Sequence, residues 1–146
     1  MDVMLSLWRE LEKVQGPLRY FPSSDDAEQR IMASFRSSID AADADVLLAE
    51  HDGDAVGMAL VHLENPSRMS AEQAAELSRV VVDPGRRGTG AGKALVDAAE
   101  DWARRREIRT LVAAIFVANS ESRRFWTAVG FEPWVERMVR PVRPET

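Results

Sequence analysis

Apolar residues recur along this chain at two different intervals, and the interval changes mark out its elements. Val3, Met4, Leu7, Trp8, Leu11 and Val14 stand three and four apart, which gathers them on one face of an amphipathic helix. Gly16 and Pro17 end it. Ser24 or Asp25 suits the cap of a second helix whose Ile31, Met32, Phe35 and Ile39 again share a face. Val46–Glu50 and Ala55–Leu63 are apolar and partly β-branched, and the Asp52, Gly53 and Asp54 between them tolerate positive φ. That pattern predicts an antiparallel hairpin.

Glu64 to Ala74 is polar, contains Pro66 and reads as a loop. A strand follows over Glu76–Val82, stopped by Asp83 and Pro84. Gly88–Glu107 predicts a helix with Ala91, Ala94, Leu95, Ala98 and Trp102 as its buried stripe, and Arg104, Arg105 and Arg106 fall where cations suit the carboxyl end. Thr110–Val117 is the next buried strand. Asn119 or Ser120 caps a short helix through Val129, closed by Gly130, and one or two final strands are expected over Phe131–Val142, interrupted by Pro133. Helices and strands interleave without internal repeats. The expected fold is a single α/β (α+β) domain over residues 1–146, with a central mixed sheet flanked by helices.

Composition narrows the function. The chain has no cysteine, so a disulfide framework, a thiolate metal site and a cysteine nucleophile are excluded. Its net charge of −5 gives no general positive field for a nucleic acid. No apolar run reaches the ~18 residues of a membrane span, and Asp2, Arg9, Glu10 and Glu12 interrupt the first segment as they would not in a signal peptide. A soluble, cytoplasmic protein is expected. His51 and His62 have no paired spacing, and no metal site is expected.

The stretch from Val80 to Leu95 carries the chemistry: a β-branched strand passes through a glycine-rich turn directly into an Ala-rich helix. Such a junction aims unpaired backbone N–H groups and the positive helix end at one spot. Gly88, Gly90 and Gly92 permit close approach, while Arg86, Arg87 and Lys93 add charge at the rim. A phosphate-bearing ligand is the physical expectation. The Walker pattern fails because Arg87 and Ala94 occupy its required Gly and Ser/Thr places. The dinucleotide fingerprint fails in both registers, meeting Lys93 or Leu95 where it needs glycine.

Arg87-Gly-Thr-Gly90-Ala-Gly92 instead matches R-x-x-G-x-G, and Asn119, the Phe125-Trp126 pair and Gly130-Phe131 follow downstream. Together they resemble the GNAT superfamily of acetyl-coenzyme A dependent N-acyltransferases, over roughly residues 46–142. The resemblance implies acetyl-coenzyme A as cosubstrate, with Arg87, Gly88, Thr89, Gly90, Ala91, Gly92 and Lys93 around its pyrophosphate. It also implies pantetheine pairing with the backbone near Val81 and Val82, in the manner of a peptide added to a sheet edge. Asn119 has two compatible readings, a helix cap and a pantetheine contact. A typical member starts with a strand before its first helix, whereas the helical pattern here is entered by Val3, so that edge strand is expected to be missing and its sheet edge exposed or covered by a partner such as a second copy. Trp126 stands where the family often has a proton-donating tyrosine. An indole N–H is no such acid, so Trp126 is expected to pack on the pantetheine arm, with water or Tyr20 protonating the thiolate.

Glu76, at the head of the strand feeding the loop, is the candidate general base, with a solvated carboxylate as its plain alternative and Glu64 and Asp83 as weaker candidates. No acyl-serine elbow is present. The expected function is N-acetyltransfer to a primary amine of a small molecule or peptide by direct attack. A non-catalytic acyl-coenzyme A binding module is the alternative. Acceptor specificity falls to the loops 18–24 and 64–74.

Overall fold

The opening three-and-four spacing becomes α1 (Asp2–Gln15), which buries Met4, Leu7, Trp8 and Leu11. The computed structural model describes residues 2–145. After a 3-10 turn at Gly16–Leu18, α2 (Ala27–Ser38) buries Ile31 and Phe35. Its cap position falls at Asp26, later than Ser24 or Asp25, and Ile39 is the residue that ends the helix.

The strands are β1 (Ala44–His51), β2 (Asp54–Glu64), β3 (Ala74–Val82) and β4 (Leu111–Ala113), in one sheet of order β1-β2-β3-β4. Asp52 and Gly53 turn the β1–β2 hairpin at φ 52° and 84°, the left-handed pair that a two-residue turn needs to match strand twist. β2 and β3 are antiparallel. α3 (Ala91–Arg104) then carries the chain over the sheet to β4, which runs parallel to β3. α4 (Ser120–Ala128) completes the elements. Among the described residues no helix is long and apolar enough to cross a membrane.

The sheet separates two cores. On one face Ala59, Val61, Ala75 and Leu77 pack against Leu95, Ala99 and Trp102 of α3 and Trp126 of α4. On the other, Met58, Leu60 and Val81 meet α1 and α2. The strand residues of β3 switch parity midway: Ala75 and Leu77 face α3, but so do Val80 and Val82. A β-bulge opposite Ala59 causes this, with Met58 pairing Val81 and Leu60 pairing Ser78. Arg79 is the extra residue and sits at φ 52°, left-handed backbone that a side chain other than glycine adopts at a cost of ~1–2 kcal/mol.

Three expectations are corrected. The helix expected over Gly88–Glu107 runs from Ala91 to Arg104, its start delayed because Gly88 and Gly90 sit at φ 82° and 85°. The strand expected over 110–117 pairs only at Leu111–Ala113. No strand forms over 131–142. Pro133 and Pro141 remove ladder donors there, and Trp134, Val135, Met138 and Val139 come in adjacent pairs where a half-buried strand would alternate.

Candidate active site

The end of β3 is shaped into a cradle by its own side chains and glycines. Asp83 Oδ1 accepts from Gly85 N at 2.9 Å, and Arg86 N donates to Asp83 O at 2.8 Å. Asp83 is thereby committed to the turn. Thr89 Oγ1 donates to Arg86 O at 2.6 Å, holding the loop closed on itself. The first backbone bond of α3 runs from Ala94 N to Gly90 O, so the N–H groups of Gly90, Ala91, Gly92 and Lys93 have no acceptor among the described residues. They form an anion site of the helix-start kind. A side chain at Gly88 or Gly90 would meet open space, whereas a Cβ at Gly92 would lie 2.8 Å from Phe125 Cε1. Gly88 and Gly90 therefore serve the turn, and Gly92 serves the docking of α4. Arg87 reaches Glu121 at 3.6 Å and Lys93 reaches Asp97 at 2.9 Å, both exposed pairs that an arriving phosphate can displace.

Beside the cradle the sheet parts. β3 pairs with β4 only from Ala75 to Leu77, while Val81 and Val82 are hydrogen-bonded to β2 alone. Their other edge is open to an extended ligand. Asn119 caps α4, its Oδ1 accepting from Ser122 N at 3.1 Å. The Trp126 indole is 7% exposed, packs edge-on against Phe125 and Phe131, and donates from Nε1 to Ser122 Oγ at 3.1 Å. It backs the wall of the cleft from the core.

Further along β3, Glu76 stands opposite His62 in register, and Glu64 is its diagonal neighbour across the β2–β3 pair, within reach of a long side chain. Partial burial, then a hydrogen bond and charge from Glu64, push the Glu76 carboxyl up to about 7, with Arg79 opposing. Glu76 therefore stays partly protonated near neutrality. Glu64 and Arg79 both act on the Glu76 charge, and Arg19 and Glu12 act on that of Arg79, so these side chains lie near one another. Sequence reasoning placed Glu76 and named Glu64 as a lesser candidate, but the proximity of the two comes from hairpin register. Arg79 was not singled out at all, since no glycine or proline marks its bulge.

The family model described as "Acetyltransferase (GNAT) family" matches residues 6–131. No curated protein matches the sequence. Similar solved structures include a putative acetyl transferase from Pyrococcus furiosus, with 19% identity, a TM-score of 0.74 and coverage of 97% of this chain and 95% of that one. Another is AAC(6')-Iy in complex with the bisubstrate analogue CoA-S-monomethyl-acetylneamine, at 21% identity, TM-score 0.71 and coverage of 97% and 92%. A third is glucosamine-6-phosphate N-acetyltransferase from Arabidopsis thaliana, at 20% identity, TM-score 0.64 and coverage of 95% and 88%.

Proposed function

The chain belongs to the GNAT acetyltransferase family, and from that premise we propose that it transfers an acetyl group from acetyl-coenzyme A to a primary amine by direct attack. The observation that carries the reading is the cradle of unpaired N–H groups from Gly90 to Lys93, placed where β3 leaves its parallel partner. Pyrophosphate bound there, flanked by Arg87 and Lys93, lets the pantetheine arm run beside Val81 and Val82 toward Glu76. That a similar fold holds a coenzyme A bisubstrate analogue supports the assignment. The names of two similar structures, an aminoglycoside and an amino-sugar acetyltransferase, support a small amine as acceptor.

An amine arrives protonated near neutral pH, so a base must take its proton before nitrogen can attack. Glu76, poised near pH 7 by Glu64 and partial burial, suits that task better than a carboxylate of ordinary acidity. Nitrogen then bonds to the thioester carbonyl carbon, the C–S bond breaks, the nitrogen gives up its second proton to water as the amide forms, and the departing thiolate takes a proton from water. A thiol of ordinary pKa, ~8.5, is a tolerable leaving group without a dedicated acid. Proximity in one cleft supplies the rest of the acceleration. Thiol release measured across a panel of amines, amino acids, aminoglycosides and basic peptides tests the proposal. Tight acetyl-coenzyme A binding with no release for any acceptor would favour the non-catalytic binding module.

A further inference from the structure

β3 turns one side chain the wrong way for a regular strand, and it turns it toward the acceptor side of the cleft. In strict alternation Arg79 would follow Ala75 and Leu77 onto the α3 face. The bulge hands that face to Val80 and Val82 instead, and leaves Arg79 near enough to Glu76 to act on its charge. Bulges re-aim side chains in this way, and the left-handed backbone at φ 52° is the local cost of doing so. A strand rise of ~3.3 Å per residue keeps Glu76 and Arg79 within about 10 Å, so one small molecule can touch both.

We propose that Arg79 anchors an anionic group on the acceptor, so that the site takes amines that also carry a carboxylate or a phosphate. The inference rests on the acetyl transfer proposed above and names its acceptor class. Arg19, the nearby cation, is already engaged with Glu12 and with Ser23 Oγ at 3.2 Å. Arg79 has no hydrogen-bond or ion-pair partner among the described residues. Desolvation and the neighbouring Arg19 charge lower its pKa against the carboxylates of Glu12 and Glu76, and the side chain stays exposed to an arriving ligand. Its planar guanidinium fits carboxylate or phosphate oxygens in pairs. With the Glu76 carboxyl and the Arg79 guanidinium three residues apart on β3, the polarity matches an amine joined to an acid. Glu12, whose Oε1 is buried without a partner, is the internal competitor for Arg79.

The test compares matched acceptors on the full-length protein: β-alanine against β-alaninamide, and phosphoethanolamine against ethanolamine, well above the pH at which Glu76 titrates. The expected result is a kcat/KM preference for the charged member of at least one pair, and the pair affected identifies carboxylate or phosphate. In Arg79→Gln that preference ratio falls by ~10-fold or more, and Arg79→Lys restores part of it, with KM for acetyl-coenzyme A unmoved. Equal losses for charged and neutral members would assign Arg79 to Glu12 as a structural bridge and overturn the proposal. So would a wild-type protein indifferent to the charge. Thermal shifts with the same compounds in the presence of coenzyme A separate the two readings: a charge-dependent shift abolished in Arg79→Gln, without turnover, keeps the anion site and refutes acetyl transfer. No shift and no turnover with either charged compound refutes the anion site.

Discussion

On the proposed mechanism, Glu76 links catalysis and stability through one proton. Its conversion to Gln is expected to lower kcat by ~10²–10⁴, the usual cost of losing a placed base, and to remove the acid limb near pH 7 from the rate profile. Glu64→Gln removes a charge that raises the Glu76 pKa, so its limb moves to lower pH, measurable in kcat/KM against pH. The same shift carries a signed stability effect. Folding raises the Glu76 pKa from 4.5 to about 7, so the folded state binds the proton more tightly. The associated stability is full below pH 4.5 and is lost as pH rises to 7. Glu76→Gln therefore gains in melting temperature relative to wild type as pH goes from 5 to 8. At Gly90 the φ of 85° excludes β-branched residues, and Gly90→Val is expected to weaken acetyl-coenzyme A binding by ~10-fold or more in calorimetric titration, by re-aiming the free N–H groups. The residues of the loop were legible in the sequence because they are contiguous. Glu64 beside Glu76 was legible only as two separate acids, since hairpin register decides which side chains meet. Arg79 escaped because its neighbours Ser78 and Val80 are ordinary strand residues.

Elements written in periodicity were read correctly: both opening helices, the Asp52-Gly53 hairpin, β3 and α4 stand where the apolar spacing put them. The segment after Gly130 was misread because valine and tryptophan content suggested strands while adjacent apolar pairs and prolines denied them a ladder. A different kind of signal lies at the α3–α4 contact. Gly92 looks like one more phosphate-loop glycine, yet its missing Cβ makes room for Phe125. Gly92→Ala gains about 1 kcal/mol of helix propensity but overpacks against an aromatic ring, at about 1–3 kcal/mol. A net fall in melting temperature is expected, and Phe125→Leu in the same chain should recover part of it, as contacting sites are non-additive. Trp126→Phe forfeits the bond to Ser122 Oγ, leaving a hydroxyl short of a partner, and should lower stability by about 1–2 kcal/mol in chemical denaturation.

On the scale of the whole molecule, one sheet serves two cores, and β3 changes its allegiance at the bulge around Arg79. Helices α1 and α2 cover one face of the sheet, and α3 and α4 cover the other, so each face is backed by its own layer. That division also sorts the indoles. Trp8 lies in the α1–α2 layer, Trp102 and Trp126 lie in the α3–α4 layer, and Trp134 is 71% exposed after the last helix. Light emitted by the protein is therefore spatially encoded. Acrylamide should quench Trp134 freely and the other three poorly, and single-tryptophan versions would report the opening of either layer by the colour of one fluorophore.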